Sequence, residues 1–162
     1  MRSKISPNLW FDGQAEEAAS FYVSVFPNSR VVGVTRYPEG SPGPVGSVMT
    51  VEFELDGQRF VGINGGPQFQ FDEAVSFEIA CKDQEEVDAY WERLLEGGGE
   101  ESQCGWLKDR YGLSWQVVPE GMDEIFADPD PARAERAMQA MLGMRKLDVA
   151  ALRAAADGVP VS

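Results

Sequence analysis

The most regular pattern in the chain lies at Ser47–Ile63, which reads SVMTVEFELDGQRFVGI. Its first half alternates apolar and polar residues, which predicts a β-strand with one apolar face. Asp56-Gly57 is a strong signal for a tight turn between two strands. Arg59–Ile63 then predicts the returning strand, so this region forms an antiparallel hairpin. The apolar face of the first strand carries Met49, Val51, Phe53 and Leu55.

The residues before this hairpin complete a β-α-β-β-β unit. Ile5–Phe11 is short and apolar, which predicts a strand. Ala15–Phe26 has apolar residues at helical spacing, and Val31–Tyr37 is again strand-like. Pro38–Gly46 is rich in glycine and proline and predicts a loop.

The second half repeats this order of elements. Glu17-Ala18-Ala19-Ser20-Phe21-Tyr22 aligns with Glu86-Val87-Asp88-Ala89-Tyr90-Trp91, each lying one turn into a helix that follows a strand. The alternative is coincidence between two amphipathic helices. The predicted elements are strands at Val75–Cys81, Glu101–Trp106, Leu107–Asp109 and Gly112–Val118, with a helix at Gln84–Glu96.

The repeat predicts an α+β protein of paired βαβββ modules. These modules would form a curved eight-stranded mixed sheet with both helices outside and a cleft inside. We expect one domain over residues 1–120, with modules at about 4–67 and 73–119. Residues 121–162 predict a helical extension, because helical spacing at Ala132–Leu142 and Leu147–Ala156 indicates a C-terminal helical hairpin.

Composition and charge limit the classes of function. The 162 residues carry a net charge of -13, which disfavours binding to nucleic acid or to an anionic membrane surface. The chain has no histidine, so a Ser-His or Cys-His catalytic pair is excluded. General acid–base work near neutral pH would fall to a desolvated carboxylate. Cys81 and Cys104 match no metal-finger spacing and predict reduced thiols in a cytoplasmic protein.

Several segments together resemble PhnB-like proteins. These segments are Pro7–Ala18, Leu55–Phe60 with Asn64–Pro67, Cys104–Pro119 and Ala137–Asp148. The chain is therefore identified as similar to the PhnB-like branch, often labelled 3-demethylubiquinone 3-methyltransferase, of the vicinal oxygen chelate (glyoxalase/bleomycin-resistance) superfamily. The resemblance covers nearly the whole chain and implies paired βαβββ modules and a homodimer.

The resemblance also implies where a divalent metal would bind. Superfamily enzymes hold the ion with His, Glu or Gln from four strands. The corresponding positions fall near Pro7-Asn8, Phe60-Val61, Ser76-Phe77 and Gln116, of which only Gln116 keeps a suitable ligand type. We therefore expect no catalytic metal and no other cofactor.

Strand alternation selects the candidate ligand-binding residues. Ser76 and Glu78 share one face of their strand, and Asn8 and Trp10 share the equivalent face of the first strand. The functional interpretation of Glu78 is a desolvated carboxylate in the cleft; the alternative is a solvated carboxylate or an ion pair with Arg59 or Arg36. The full candidate set is Asn8, Trp10, Thr50, Ser76, Glu78 and Gln116.

Other aromatic residues and two loops complete the predicted site. Trp115, Phe53 and Phe60 are more typical of core positions than of a pocket. Pro38–Gly46 and Gln68–Phe71 would form the rim of the cleft.

Three hypotheses follow. The first is a protein that binds a small molecule in the cleft without metal chemistry. The second is a metal-dependent glyoxalase- or dioxygenase-type enzyme that uses Gln116 and Glu78. The third is a methyltransferase, which rests on the family label alone, because neither Gly97-Gly98-Gly99 nor Asn64–Pro67 is placed to open a helix after a strand.

Overall fold

The computed structural model describes residues 3–160 and divides the chain into two compact units. The first unit extends to Phe71 and the second begins at Asp72. Each unit holds a four-stranded mixed sheet in β-α-β-β-β order, so the predicted α+β fold of paired βαβββ modules is confirmed. Residues 1, 2, 161 and 162, which the predicted domain ranges include, lie outside the described residues.

Over residues 3–71, the first unit contains one helix and four strands. In the sheet, the first strand runs parallel to the fourth, and the other neighbouring strands are antiparallel, in the order β1-β4-β3-β2. The elements are β1 (Asn8–Phe11), α1 (Ala15–Val25), β2 (Arg30–Arg36), β3 (Val48–Leu55) and β4 (Gln58–Asn64).

One face of this sheet packs against α1. Phe53 and Phe60 pair across β3 and β4 with their rings stacked at 5.5 Å, and both side chains are buried. Tyr22 of α1 stacks on Phe53 at 6.2 Å. The hairpin turn has positive φ at both Asp56 (46°) and Gly57 (79°), which suits the twist of the flanking strands. The alternation in the sequence therefore predicted the buried face.

The second unit repeats the plan with shorter strands. Its sheet has the order β5-β8-β7-β6, with β5 parallel to β8. The elements are β5 (Ser76–Cys81), α2 (Gln84–Leu95), β6 (Glu100–Glu101), β7 (Trp106–Lys108) and β8 (Ser114–Pro119). Val87, Trp91 and Leu94 of α2 are buried, as are Leu107, Trp115 and Val117 of the sheet.

The predicted strand Glu101–Trp106 is wrong for residues 102–105, which form a turn between β6 and β7. Cys104 and Gly105 have φ values of 57° and 84°, which a strand cannot accommodate. Their backbone N–H groups donate to the carbonyl oxygens of Met144 and Arg145, at 2.9 and 2.8 Å. A tertiary contact with the C-terminal segment therefore replaces strand pairing here.

Up to residue 160, the second unit also contains three C-terminal helices. They are α3 (Met122–Phe126), which the sequence did not predict, α4 (Pro131–Leu142) and α5 (Val149–Ala156), which confirm the predicted helical hairpin. Asp130 and Asp148 cap α4 and α5 with their carboxylates. Met122, Leu147 and Leu152 form a buried cluster against which Val118 of β8 packs.

Candidate functional site

The sheet of the first unit has a second face that α1 does not cover, here called the first helix-free face. Register places Trp10, Ile63 and Thr50 side by side on β1, β4 and β3, and all three are half-buried. Asn8 occupies the adjacent row and is exposed, with its amide donating to the Ser6 carbonyl at 3.0 Å. The three first-unit candidates therefore share one face, as strand alternation requires.

Trp10 is held in a fixed orientation on this face. Its Nε1 donates to the Gly66 carbonyl at 2.8 Å, and its ring meets the edge of Phe69 with centroids 4.9 Å apart. A Cβ atom on Gly65 would lie 2.1 Å from the Trp10 ring, so this close approach requires glycine. Phe69 is 64% exposed, which leaves an aromatic pair open to a ligand.

The charged groups of the first helix-free face have partners within the same unit. Arg59 Nε donates to Glu52 at 2.7 Å, and this hydrogen bond raises the pKa of Arg59. Arg36 donates to the Gly46 carbonyl at 3.0 Å. Both arginines named as possible partners of Glu78 are therefore engaged within the first unit.

A cavity of about 520 Å³ opens at the end of β4 in the first unit. The predicted rim loop contributes Pro42, Gly43 and Pro44 to its wall. Asn64 organises this end of the unit, because its side chain accepts from Ala15 N at 2.9 Å and donates to the Val48 carbonyl at 3.1 Å. Asp12 and Glu16 lie at the cavity and are exposed.

The second helix-free face is the face of the β5–β8 sheet that α2 does not cover. It carries the other three candidates: Gln116 Nε2 donates to Ser76 Oγ at 2.9 Å, and Glu78 pairs in register with Gln116. Glu78 is exposed, which agrees with the alternative of a solvated carboxylate. The reason is that β5 is an edge strand, whose side chains have a neighbouring strand on one side only.

Trp106 is a candidate that the sequence did not provide. It lies on β7 and pairs in register with Gln116 of β8, whose other register partner is Glu78 of β5. The Trp106 side chain is half-buried. Its neighbour Leu107 is buried on the α2 side, so alternation places the indole on the second helix-free face. No sequence signal marks this face, because Trp106 and Leu107 are both apolar and a three-residue strand is too short to show alternation.

The residues present do not fit a catalytic divalent metal. Among the positions implied by the resemblance, Val61 offers no ligand atom, and Asn8, Ser76 and Gln116 offer only neutral amide or hydroxyl oxygens. Within residues 3–160, no group of three Cys, Asp, Glu or His side chains is placed to hold a metal ion. Hard cations prefer several carboxylates and transition metals prefer imidazole or thiolate, neither of which this set supplies.

The glycine clusters do not form a nucleotide-binding turn. Gly97, Gly98 and Gly99 follow α2 and precede β6, and Gly65-Gly66 follows β4 without opening a helix. Such a turn instead lies between a strand and a helix N-terminus. Both clusters are therefore turn and cap glycines.

Comparison with known proteins identifies the family to which this chain belongs. The profile of the family described as 3-demethylubiquinone-9 3-methyltransferase matches residues 3–118, and the chain belongs to this family. The PhnB protein from Bacillus cereus is similar, with 36% identity over 72% of this chain and 99% of that chain, and a TM-score of 0.65. The fold is that of the vicinal oxygen chelate superfamily.

More distant structures share the fold alone. Protein PA1353 from Pseudomonas aeruginosa is 20% identical over 73% of this chain and 98% of its own, with a TM-score of 0.59. The fosfomycin resistance protein FosX from Listeria monocytogenes is 14% identical over 76% of this chain and 98% of its own, with a TM-score of 0.53. No curated protein matches the sequence. Across residues 3–160, none of the helices has the length and apolarity to cross a membrane.

Proposed function

We propose that this protein binds a small organic molecule on its helix-free faces and does so without a catalytic metal. The observation that carries this proposal is the aromatic pair of Trp10 and Phe69. A hydrogen bond fixes the Trp10 ring and an edge contact joins it to Phe69, which nonetheless remains 64% exposed. A preorganised and exposed aromatic surface beside a few polar groups is typical of a ligand site rather than of a core.

The remaining candidates supply the polar groups of such a site. Thr50 offers a hydroxyl beside Trp10, and Asn8 lies in the adjacent row. In the second unit, Ser76, Gln116 and Glu78 form a second polar group on an uncovered face. We further propose a homodimer, as the resemblance implies, and a cytoplasmic location, which agrees with two thiols that match no disulfide or metal spacing.

Binding is tested by calorimetric titration against a panel of small aromatic compounds. Phe69→Ala should weaken binding by about 5- to 10-fold, because a stacked aromatic contact contributes about 1 kcal/mol. Val34→Ala is the matched control, because Val34 is 42% exposed on β2 and pairs in register with the buried Val51, on the side of the sheet that α1 covers. A protein that binds none of the panel, or a Phe69→Ala variant that binds unchanged, would contradict the proposal.

The metal-free part of the proposal has its own test. Protein purified without added metal should contain no stoichiometric divalent ion by elemental analysis. An ion whose occupancy falls in a Gln116→Ala variant would instead favour the alternative, a metal-dependent enzyme of the glyoxalase or dioxygenase type.

For the methyltransferase hypothesis, we expect calorimetry to detect no S-adenosylmethionine binding, since neither glycine cluster lies between a strand and a helix.

A further inference from the structure

We infer that the second helix-free face recognises the positively charged group of a small aromatic amine, through a row formed by Glu78, Gln116 and Trp106. This inference rests on the proposed function and names its ligand class. It uses Trp106, which lies outside the predicted site, and it gives Glu78 the role of a charge partner for the ligand.

Strand register brings the three side chains into one row. Gln116 pairs with Glu78 across β5 and β8, and with Trp106 across β8 and β7. Neighbouring strands lie about 4.8 Å apart, so Glu78 and Trp106 are separated by about 10 Å. A compound with an aromatic ring two carbons away from an ammonium group matches that span once the two side chains extend towards it.

Glu78 is the charged member of the row. It is exposed, and within the described part of the second unit no basic side chain forms an ion pair with it. Lys108, on the adjacent row of the same face, is bound to Glu73, and their hydrogen bond raises the pKa of Lys108. The row therefore presents an uncompensated carboxylate, which forms charge-assisted hydrogen bonds with an ammonium group.

Gln116 and Trp106 supply the rest of the recognition. Because Gln116 Nε2 donates to Ser76 Oγ at 2.9 Å, its Oε1 remains an acceptor that can face a ligand N–H. The half-buried indole of Trp106 offers a ring that can stack on the aromatic part of the ligand or attract its cation. The net charge of -13 opposes an anion at the same place.

The experiment compares three probes that share one phenyl ring: phenethylamine, 2-phenylethanol and 3-phenylpropionate. Each is titrated into the full chain at low ionic strength, with binding followed by calorimetry and by tryptophan fluorescence. Phenethylamine should bind most tightly and 3-phenylpropionate most weakly. Glu78→Gln should weaken phenethylamine binding by about 10-fold and leave 2-phenylethanol unchanged, because only the charged hydrogen bond is lost.

Glu92→Gln is the matched control, because it removes the same charge from an exposed position on α2, on the covered side of the same sheet. It should leave all three affinities unchanged. Trp106→Leu should weaken phenethylamine and 2-phenylethanol together. If Trp106→Leu does not fold, the Glu78→Gln and Glu92→Gln pair still decides the inference.

The outcomes separate this inference from the proposed function. If 3-phenylpropionate binds as tightly as phenethylamine, or if Glu78→Gln and Glu92→Gln have equal effects, the inference is wrong while small-molecule binding stands. If none of the three probes binds, the inference is overturned, and the wider aromatic panel decides the proposed function separately.

Discussion

The helices α1 and α2 occupy equivalent places in the two units, yet their N-termini are capped differently. In α2, the Asp83 carboxylate accepts from Glu86 N at 2.9 Å, and the Glu86 carboxylate accepts from Lys82 N at 2.6 Å. In α1, Gln14 provides no side-chain cap, and Asn64 at the end of β4 accepts from Ala15 N instead. One helix start is therefore fixed locally and the other by a strand 49 residues away.

The two hairpins also differ in what holds their turns, which is backbone conformation in the first unit and a buried side chain in the second. The β3–β4 turn has two residues and depends on backbone conformation at Asp56 and Gly57. The β7–β8 turn is longer and is organised by Asp109, which is 3% exposed and accepts from Tyr111 N, Leu113 N and Trp115 Nε1 at 2.8 to 3.1 Å. The comparison shows that one topology can be stabilised by turn chemistry or by a buried carboxylate.

The units also differ at their edges. All seven residues of β2 are exposed, whereas β6 has two residues and the C-terminal segment contacts the turn that follows it. In the second unit, the edge strand is therefore short, and the added C-terminal segment packs beside it.

The largest expected change in the free energy of unfolding tests this difference between the sheet edges of the two units. Leu152→Ala should lower the free energy of unfolding by about 2 to 5 kcal/mol, because Leu152 is fully buried in the C-terminal cluster and its loss leaves a cavity. Val32→Ala in β2 should cost less than about 1 kcal/mol, since Val32 is 42% exposed. Urea denaturation of both variants measures the contrast, and equal costs would show that the extension does not stabilise the chain.

The hairpin comparison predicts the next largest effect. Asp109→Asn should cost about 2 kcal/mol or more, because an amide nitrogen would face a buried donor and the charged acceptor would be lost. Asp56→Asn should change stability by less than about 0.5 kcal/mol, because Asp56 is exposed and asparagine tolerates positive φ. Thermal and urea unfolding of these two isosteric variants measure the difference in stability. An Asp109→Asn variant as stable as the unsubstituted chain would contradict the role given to the buried carboxylate.

The two caps differ more modestly. Asn64→Ala should cost about 1 to 2 kcal/mol, because it removes both the acceptor for Ala15 N and the donor to the Val48 carbonyl. Asp83→Ala should cost about 1 kcal/mol as an ordinary cap deletion. The same unfolding measurements apply, and a larger cost for Asp83→Ala would reverse the assignment of local and tertiary caps.

The last effect appears only at alkaline pH and concerns the cysteine of the second unit's core. Burial raises the pKa of Cys81 to about 12, so its thiol stays protonated in the folded chain at pH values where an unfolded thiol ionises. The unfolded state therefore binds fewer protons between about pH 8.5 and the folded value, and stability falls as pH rises through that window. The decrease should be smaller in Cys81→Ala, as measured by urea denaturation between pH 8 and 10.

Thiol chemistry provides a companion measurement. Iodoacetamide at pH 8 should modify the half-buried Cys104 before the buried Cys81, and both should react in denaturant. Faster modification of Cys81 in the folded chain would show that its surroundings are less apolar than the packing indicates.

Much of the fold could be predicted because its signals are local. The alternation of β3, the Asp-Gly turn and the helical spacing of α1, α2, α4 and α5 each depend on neighbours within a few residues. The short strands β6 and β7 and the helix α3 could not be predicted well, since two to five residues give too little periodicity. The positive φ of Cys104 follows from contacts with Met144 and Arg145, which local sequence does not reveal.

Local sequence is enough to predict the order of most elements, the buried faces of the sheets and the shared face of Asn8 and Trp10, because side-chain direction alternates along every strand. Three other features follow from long-range contacts: Asn64 caps α1, Gly66 and Phe69 fix Trp10, and Trp106 joins Glu78 and Gln116 in one row. These contacts join residues far apart in sequence, and their geometry depends on strand register, which no local pattern specifies.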